Sequence, residues 1–360
     1  MSGMDQPIVI ANCNFHVGHE RSVRVAEERG FFKEEGLDRY VYQSGGIVPG
    51  PWEHETIGAM MWERGIDIAT AVDARAAIVQ HAKGEDIYIV GGWRTQLETK
   101  LVGAKGITKP EQLKGVKGAG SGSKDSLGLF GLSWALHKHG VDPERDIEWV
   151  RAPSDRYASN PHVGDILRNG EVQVLSIGGH DDAVEELVNE GYPVVLDTEA
   201  FYKPYYKGLK NWPPGKVIVA TKQTIEQRGR ELRAFLRANV RAYWFVQDRR
   251  NHEWMFGLES RMRQNTYNEF ERNVRMLRSD KPRPERTGVR AFGMMPMDGL
   301  VPRGATADII ADLAEYKEID RVVDVDDVLK DAAAIDAIEE LLSSGRVDRE
   351  AVEKWRAINS

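Results

Sequence analysis

With 360 residues the chain is long enough for two lobes of about 100 to 200 residues each. Hydrophobic residues make up 41% and charged residues 29%, and no apolar run approaches the ~18 to 20 residues of a membrane helix, which excludes insertion into a membrane. A formal charge of -7 supplies no basic field for nucleic acid, and a single cysteine excludes an intramolecular disulfide and a cysteine-based zinc site.

Residues 7–11, Pro-Ile-Val-Ile-Ala, form a short apolar run with β-branched side chains and predict a buried strand. The turn behind it runs from Asn12 and Cys13 through His16 to His19, holding the only cysteine and two of the nine histidines. Ligands of open α/β sheets bind beyond the carboxyl ends of the strands, so this turn is a candidate site wall. Residues 20–29 predict a helix closed by Gly30, 31–38 a short helical turn, and 39–43 a second strand. The Gly/Pro-rich loop that follows carries Trp52 and His54 and is long enough to be functional. Next come a helix over 55–64, a strand over 67–72, the loop Asp73-Ala74-Arg75 opening another helix, and a strand over 87–90 that runs into Gly91-Gly92-Trp93-Arg94. Such alternation argues a mostly parallel sheet flanked by helices.

Residues 100–102 begin a crossing into a second lobe. Thr108 is expected to cap a short helical turn with Pro110 inside it. A strand over 116–119 leads to Gly120-Ser121-Gly122-Ser123-Lys124 and a helix over 127–139. Free backbone N–H groups, two hydroxyls and a positive helix end at one junction suit an anion, and the spacing fits neither nucleotide-binding glycine motif. Strands over 147–150, 172–177 and 194–196 and helices near 163–168 and 183–190 complete the lobe, with His180 and Asp181 in the loop after the middle strand. Residues 216–221 predict the return strand, and beyond them the chain is mainly helical, over 225–245, 254–277, 308–315 and 332–342, with a solvated helix over 347–360.

The segments 7–11, 26–37 and 65–69 resemble the opening of the type II periplasmic-binding-protein fold, in the branch of sulfonate-binding, nitrate-binding and thiamine-pyrimidine-synthase-like proteins. The resemblance implies an α/β fold of two lobes joined by a two-strand hinge and closing on a small molecule. Residues 1–102 and 217–360 then form lobe I and 103–216 lobe II. Asn12-Cys13 also resembles the cysteine turn of aromatic sulfinate desulfinases, which implies a catalytic role for Cys13 and places His54 as the matching histidine. Where those enzymes carry an arginine-glycine segment, this chain has Asp73-Ala74-Arg75.

Each candidate has a second reading. Cys13 is either a nucleophile or a small buried hydrophobe. His16, His19 and His54 suit acid-base chemistry or ligand contact, or are ordinary hydrogen-bonded histidines. Arg75 grips a ligand carboxylate or sulfonate, or is a solvated helix-start residue beside Asp73. Ser121, Ser123 and Lys124 bind the anion; Trp52 and Trp93 stack on a planar ligand or pack the interior. His180 and Asp181 reach the ligand from lobe II, or Asp181 caps a helix. No metal or cofactor is expected. Two functions follow: a cytoplasmic cysteine-dependent lyase or hydrolase acting on a small organic anion, or the binding component of an ABC importer with a permease as partner. The N-terminus has no export signal, which leads to a cytoplasmic expectation, or a periplasmic one if a leader has been removed.

Overall fold

A computed structural model describes residues 6–12, 17–43, 61–94, 99–120, 129–143, 145–150, 164–178, 182–198, 200, 215–261 and 295–358. These fall into two compact units: the described residues within Met1–Gln96, Lys207–Asn265 and Asn273–Ser360 form the first, and those within Leu97–Tyr206 the second.

Unit 1 starts with β1 (Ile8–Asn12), α1 (Val17–Glu28), α2 (Phe31–Glu34) and β2 (Tyr40–Gln43). Gly30, between the helices, has φ +73, the left-handed geometry that glycine adopts without strain, so the expected glycine stop is present. β3 (Ile68–Asp73), α3 (Ala74–Ala82) and β4 (Tyr88–Arg94) follow. β1 runs parallel to β2 and β3, with Ile10 opposite both Tyr42 and Ile68. The return strand β10 (Lys216–Ala220) inserts antiparallel between β3 and β4. β3 is buried at every residue, which explains its near-continuous apolar run.

The C-terminal part of unit 1 comprises α7 (Lys222–Gln227), α8 (Gly229–Gln247), α9 (His252–Arg261), α10 (Arg303–Glu315), α11 (Val325–Val328), α12 (Ala332–Ser343) and α13 (Arg349–Ile358). The helix expected over 225–245 is broken at Arg228, whose guanidinium donates to the carbonyls of Gln6 and Pro7 and to Asp67. Asp67 also accepts the Val9 N–H and the Thr224 hydroxyl, so this bend fastens two helices to the amino ends of β1 and β3. Leu232, Phe235, Leu236, Asn239, Ala242, Tyr243 and Val246 form the buried stripe of α8, recurring every three or four residues. Phe235 stacks on Phe32 at 5.9 Å. The last helix is not solvated on all sides, since Val352 is fully buried beside Val240 and Leu341.

Glu35 is the ionic centre of this packing. Its side chain is fully buried and accepts from Arg237 at 2.8 Å, Arg241 at 2.7 Å and Arg346 at 2.7 Å, joining the end of α2 to α8 and to the turn after α12. Burial pushes its carboxyl up, and the hydrogen bonds of Arg241 and Arg237 with the charge of Arg346 overcome this and hold it below the usual carboxylate range.

Unit 2 contains β5 (Thr99–Gly103), a 3-10 turn at Pro110–Leu113, β6 (Val116–Gly120), α4 (Leu129–Lys138), β7 (Ile147–Trp149), α5 (Asp165–Arg168), β8 (Val174–Gly178), α6 (Asp182–Asn189) and β9 (Val194–Asp197). The lobe boundary expected at 102 is corrected by β5, which lies antiparallel between β8 and β9 as an internal strand of this second sheet. The expected Thr108 cap is also corrected: Lys109 is the cap, and Gln112 Oε1 accepts the N–H groups of Thr108 and Lys109. Successive residues of β5 and β8 face opposite cores. Val102, Leu175 and Ile177 join the α5 and α6 side, while Leu101 and Val174 join the α4 side.

Candidate functional site

Parallel strands β1, β3 and β4 of unit 1 end on one edge of their sheet, and the antiparallel β10 begins on that same edge. Asn12 closes β1, fully buried and opposite Thr70, which is also fully buried and donates from Oγ1 to the Ala11 carbonyl at 3.4 Å. β3 is irregular just beyond. Ala69 faces Val219 and Val72 faces Val217, so β3 carries one residue more than β10 between these pairs. Ala71, inside this bulge, has φ +57. Left-handed backbone at a residue other than glycine costs about 1 to 3 kcal/mol and is sustained only where the surroundings require it. The bulge sets the register of the edge: without the extra residue Val72 would stand opposite Lys216, and with it Asp73 does.

Asp73 has two duties. One oxygen caps α3 by accepting the Ala76 N–H at 3.1 Å, and the other lies 3.9 Å from Lys216 Nζ. Burial pushes its carboxyl up, opposed by Lys216, the Ala76 N–H and Arg75. Two expectations are corrected here. Arg75 is ion-paired to Glu318, so the carboxylate it grips belongs to the protein. Trp93 is 2% exposed and meets Tyr243 edge-on at 6.2 Å in the core of unit 1, which is the packing role and not the stacking one. The indole fills the interior because its strand continues through Gly91 and Gly92 to Arg94. Gly92 is required there, since a Cβ would stand 2.6 Å from the Leu300 carbonyl oxygen.

In unit 2 the carboxyl ends of β6 and β8 lie side by side, with Gly120 opposite Ser176. Ser176 is 2% exposed and its hydroxyl has no hydrogen-bond partner among the described residues. Its place two residues after Val174 puts it on the α4 side of the sheet. Of the remaining predicted residues, His19 lies in α1, which begins within five positions of the last residue of β1. Cys13, His16, Trp52, His54, Ser121, Ser123, Lys124, His180 and Asp181 lie outside the described residues. Reading the sequence missed Thr70, Ser176 and Lys216. The available signal was a polar residue inside or directly ahead of an apolar strand, as in Lys216 before Val217–Ala220.

Numbering the parallel strands of each sheet in their own order, with n for the antiparallel one, both sheets read 2-1-3-n-4. Two such mixed five-stranded α/β units define the two-lobed, type II periplasmic-binding-protein-like class. The chain belongs to the NMT1/THI5 like family, whose sequence model matches residues 21–250. Solved structures with this fold include a periplasmic sulfonate-binding protein SsuA of a putative sulfonate ABC transporter from Methylobacillus flagellatus KT, at 18% identity and TM-score 0.62 over 95% of this chain and 96% of that one. The periplasmic nitrate-binding protein NrtA from Synechocystis PCC 6803 matches at 13% identity and TM-score 0.62, over 95% of this chain and 90% of its own. The desulfurization enzyme DSZB matches at 14% identity and TM-score 0.55, over 93% and 99%. No curated protein matches the chain. The type II resemblance read from the sequence is therefore borne out at the level of fold.

Proposed function

We propose that this protein binds a small organic anion of sulfonate, sulfinate or aromatic carboxylate type, and that the carboxyl edge of the first sheet forms part of its site. The observation that carries the reading is the likeness, over at least nine-tenths of both chains, to proteins named for binding sulfonate and nitrate. The edge chemistry supports it, because Asn12, Thr70, Asp73 and Lys216 put polar groups at buried strand ends where an apolar sheet would otherwise close. Binding alone would make the protein the solute-binding component of an ABC importer, with a permease as partner.

A second reading is favoured by the likeness to DSZB, of which a cysteine-to-serine variant has been solved with biphenyl-2-sulfinic acid. Cys13 follows the last residue of β1 directly, the place where this fold presents ligand-facing groups. In this reading Cys13 attacks the sulfinate sulfur, His54 or His16 supplies the proton to the departing carbon, and water later releases sulfite from the thiol. The product is a desulfinated aromatic. Calorimetric titration of alkanesulfonates, aromatic sulfinates, aromatic carboxylates and nitrate tests binding, and one class is expected to bind at micromolar Kd or tighter; heat-silent titrations of all four would remove the reading. Sulfite release from an aromatic sulfinate separates the two functions. An enzyme releases it and Cys13→Ser binds without turnover, whereas an importer component binds in both forms and releases nothing. Fractionation of the native protein adds the compartment, cytoplasmic for the enzyme and periplasmic for the importer component.

A further inference from the structure

Lys216 is a largely buried charged residue of unit 1 whose ionic partner among the described residues stands beyond hydrogen-bond distance. It opens β10 between the ends of β3 and β4, opposite Asp73 on one side and the backbone of Arg94 on the other. Only 15% of its side chain is exposed. Its ionic partner is Asp73 at 3.9 Å, well beyond the ~2.7 to 2.9 Å of a charge-assisted hydrogen bond. The other oxygen of Asp73 accepts the Ala76 N–H at the start of α3. An ammonium with three donors, on a largely buried side chain and beyond hydrogen-bond distance of its carboxylate, suits an incoming oxyanion.

The backbone around it points the same way. β3 accommodates a bulge with Ala71 at φ +57, and the outcome of that bulge is Asp73 opposite Lys216. β4 is irregular next to the lysine itself: Val217 faces Gly92 and Lys216 faces Arg94, so β4 advances two residues while β10 advances one. Both neighbours of β10 depart from regular pairing along the strand that this lysine opens, β4 at Lys216–Val217 and β3 between Val217 and Val219. Bulges of this kind re-aim side chains at strand edges and recur beside binding positions.

We infer that Lys216 is the anion-binding cation of unit 1, donating to the carboxylate, sulfonate or sulfinate group of the ligand, and that Asp73 is its counter-charge in the empty site, competing with the ligand for the ammonium. This rests on the proposed binding of a small organic anion and names the residue that receives its charge. The two partners then act with opposite signs. Removing the lysine weakens binding, and neutralising the aspartate strengthens it.

The test is calorimetric titration of benzenesulfonate, benzenesulfinate and benzoate into the full chain and into Lys216→Met, Lys216→Arg and Asp73→Asn, with circular dichroism of each variant as the check on folding. Asparagine keeps the cap on α3 while removing the charge. For whichever probes bind the parent, Lys216→Met should lose about tenfold or more in affinity, Lys216→Arg should stay within about threefold, and Asp73→Asn should gain about two- to fivefold. A folded Lys216→Met that binds as the parent does overturns the inference while leaving the proposed function standing. If that variant does not fold, Asp73→Asn decides, and unchanged or weaker affinity overturns the inference. A parent chain that binds none of the three overturns the proposed function and this inference with it.

Discussion

A lysine occupies corresponding places in the two sheets and is treated differently in each. Lys216 opens β10 and Lys100 is the second residue of β5, the antiparallel strands that sit second from an edge in their respective sheets. Each faces an aspartate at the carboxyl end of a neighbouring strand, Asp73 on β3 and Asp197 on β9. Lys100 Nζ lies 2.6 Å from Asp197 and its side chain is 8% exposed, whereas Lys216 lies 3.9 Å from Asp73 and is 15% exposed. The first pair is closed on itself by a short charge-assisted hydrogen bond, and the second is held only by longer-range attraction. One architecture thus uses the same residue type at the same strand edge for structure in unit 2 and, by our inference, for ligand in unit 1. Both aspartates give their other oxygen to a backbone N–H three residues on, Asp73 to Ala76 at 3.1 Å and Asp197 to Ala200 at 3.4 Å, so the pairs differ in the distance to the lysine and not in this contact.

The units also differ in how their arginine clusters are placed, and the largest effect should come from the buried one. Replacing Glu35 by Gln leaves Arg237, Arg241 and Arg346 around a neutral group, and the expected loss is about 3 to 5 kcal/mol of unfolding free energy, measured by urea denaturation at neutral pH. The pH dependence has a defined sign. Because the folded carboxyl is held below its usual range, its contribution is complete above the ordinary Glu pKa of about 4.3 and disappears as pH falls through the lowered value. The difference between parent and Glu35→Gln should therefore narrow under acid, and a gap that stays constant down to strongly acidic pH would show that Glu35 works by packing alone.

An intermediate effect is expected at Lys100. Its replacement by Met removes the short bond to Asp197 and should cost about 1.5 to 3 kcal/mol while leaving the affinity for any bound anion probe unchanged. A loss of anion affinity in Lys100→Met equal to that of Lys216→Met would erase the distinction between the two lysines.

The smallest effect belongs to Arg168. It bonds Asp165 at 2.7 Å and Glu190 at 2.7 Å, with both carboxylates more than two-fifths exposed. Water screens such pairs, so Arg168→Ala should cost under about 1 kcal/mol. A thermal scan showing a Tm drop comparable to that of Glu35→Gln would mean that this outer cluster matters to unit 2 as much as the buried one does to unit 1.

The elements themselves were largely legible. Strands β1, β3, β8 and β10 stand where apolar runs predict them, because a run of apolar, largely branched residues between turn formers is a local property. The helix stop at Gly30 and the buried stripe of α8 follow from short-range rules of the same kind. The two-lobed class followed from the resemblance to the type II periplasmic-binding-protein fold, which the comparisons bear out. Of the residues read as site candidates, Asp73 stands at the carboxyl edge of β3, Arg75 is paired with Glu318 and Trp93 lies in the core. A sequence shows that an arginine or a tryptophan stands near a strand end, and it does not show which neighbour turns toward it.

What the sequence determined by itself, then, is where strands and helices begin and end, and that their alternation builds α/β units. Tertiary structure alone decided the rest: that β5 belongs to the second sheet, that the helix predicted over 225–245 breaks where Arg228 reaches back to Gln6 and Pro7, and that Asp73 meets Lys216. The physical reason is range. Propensity, capping and periodicity act over a few residues, whereas strand register is set by partners distant in the chain, and a single extra residue in β3 determines whether Lys216 faces a carboxylate or a valine.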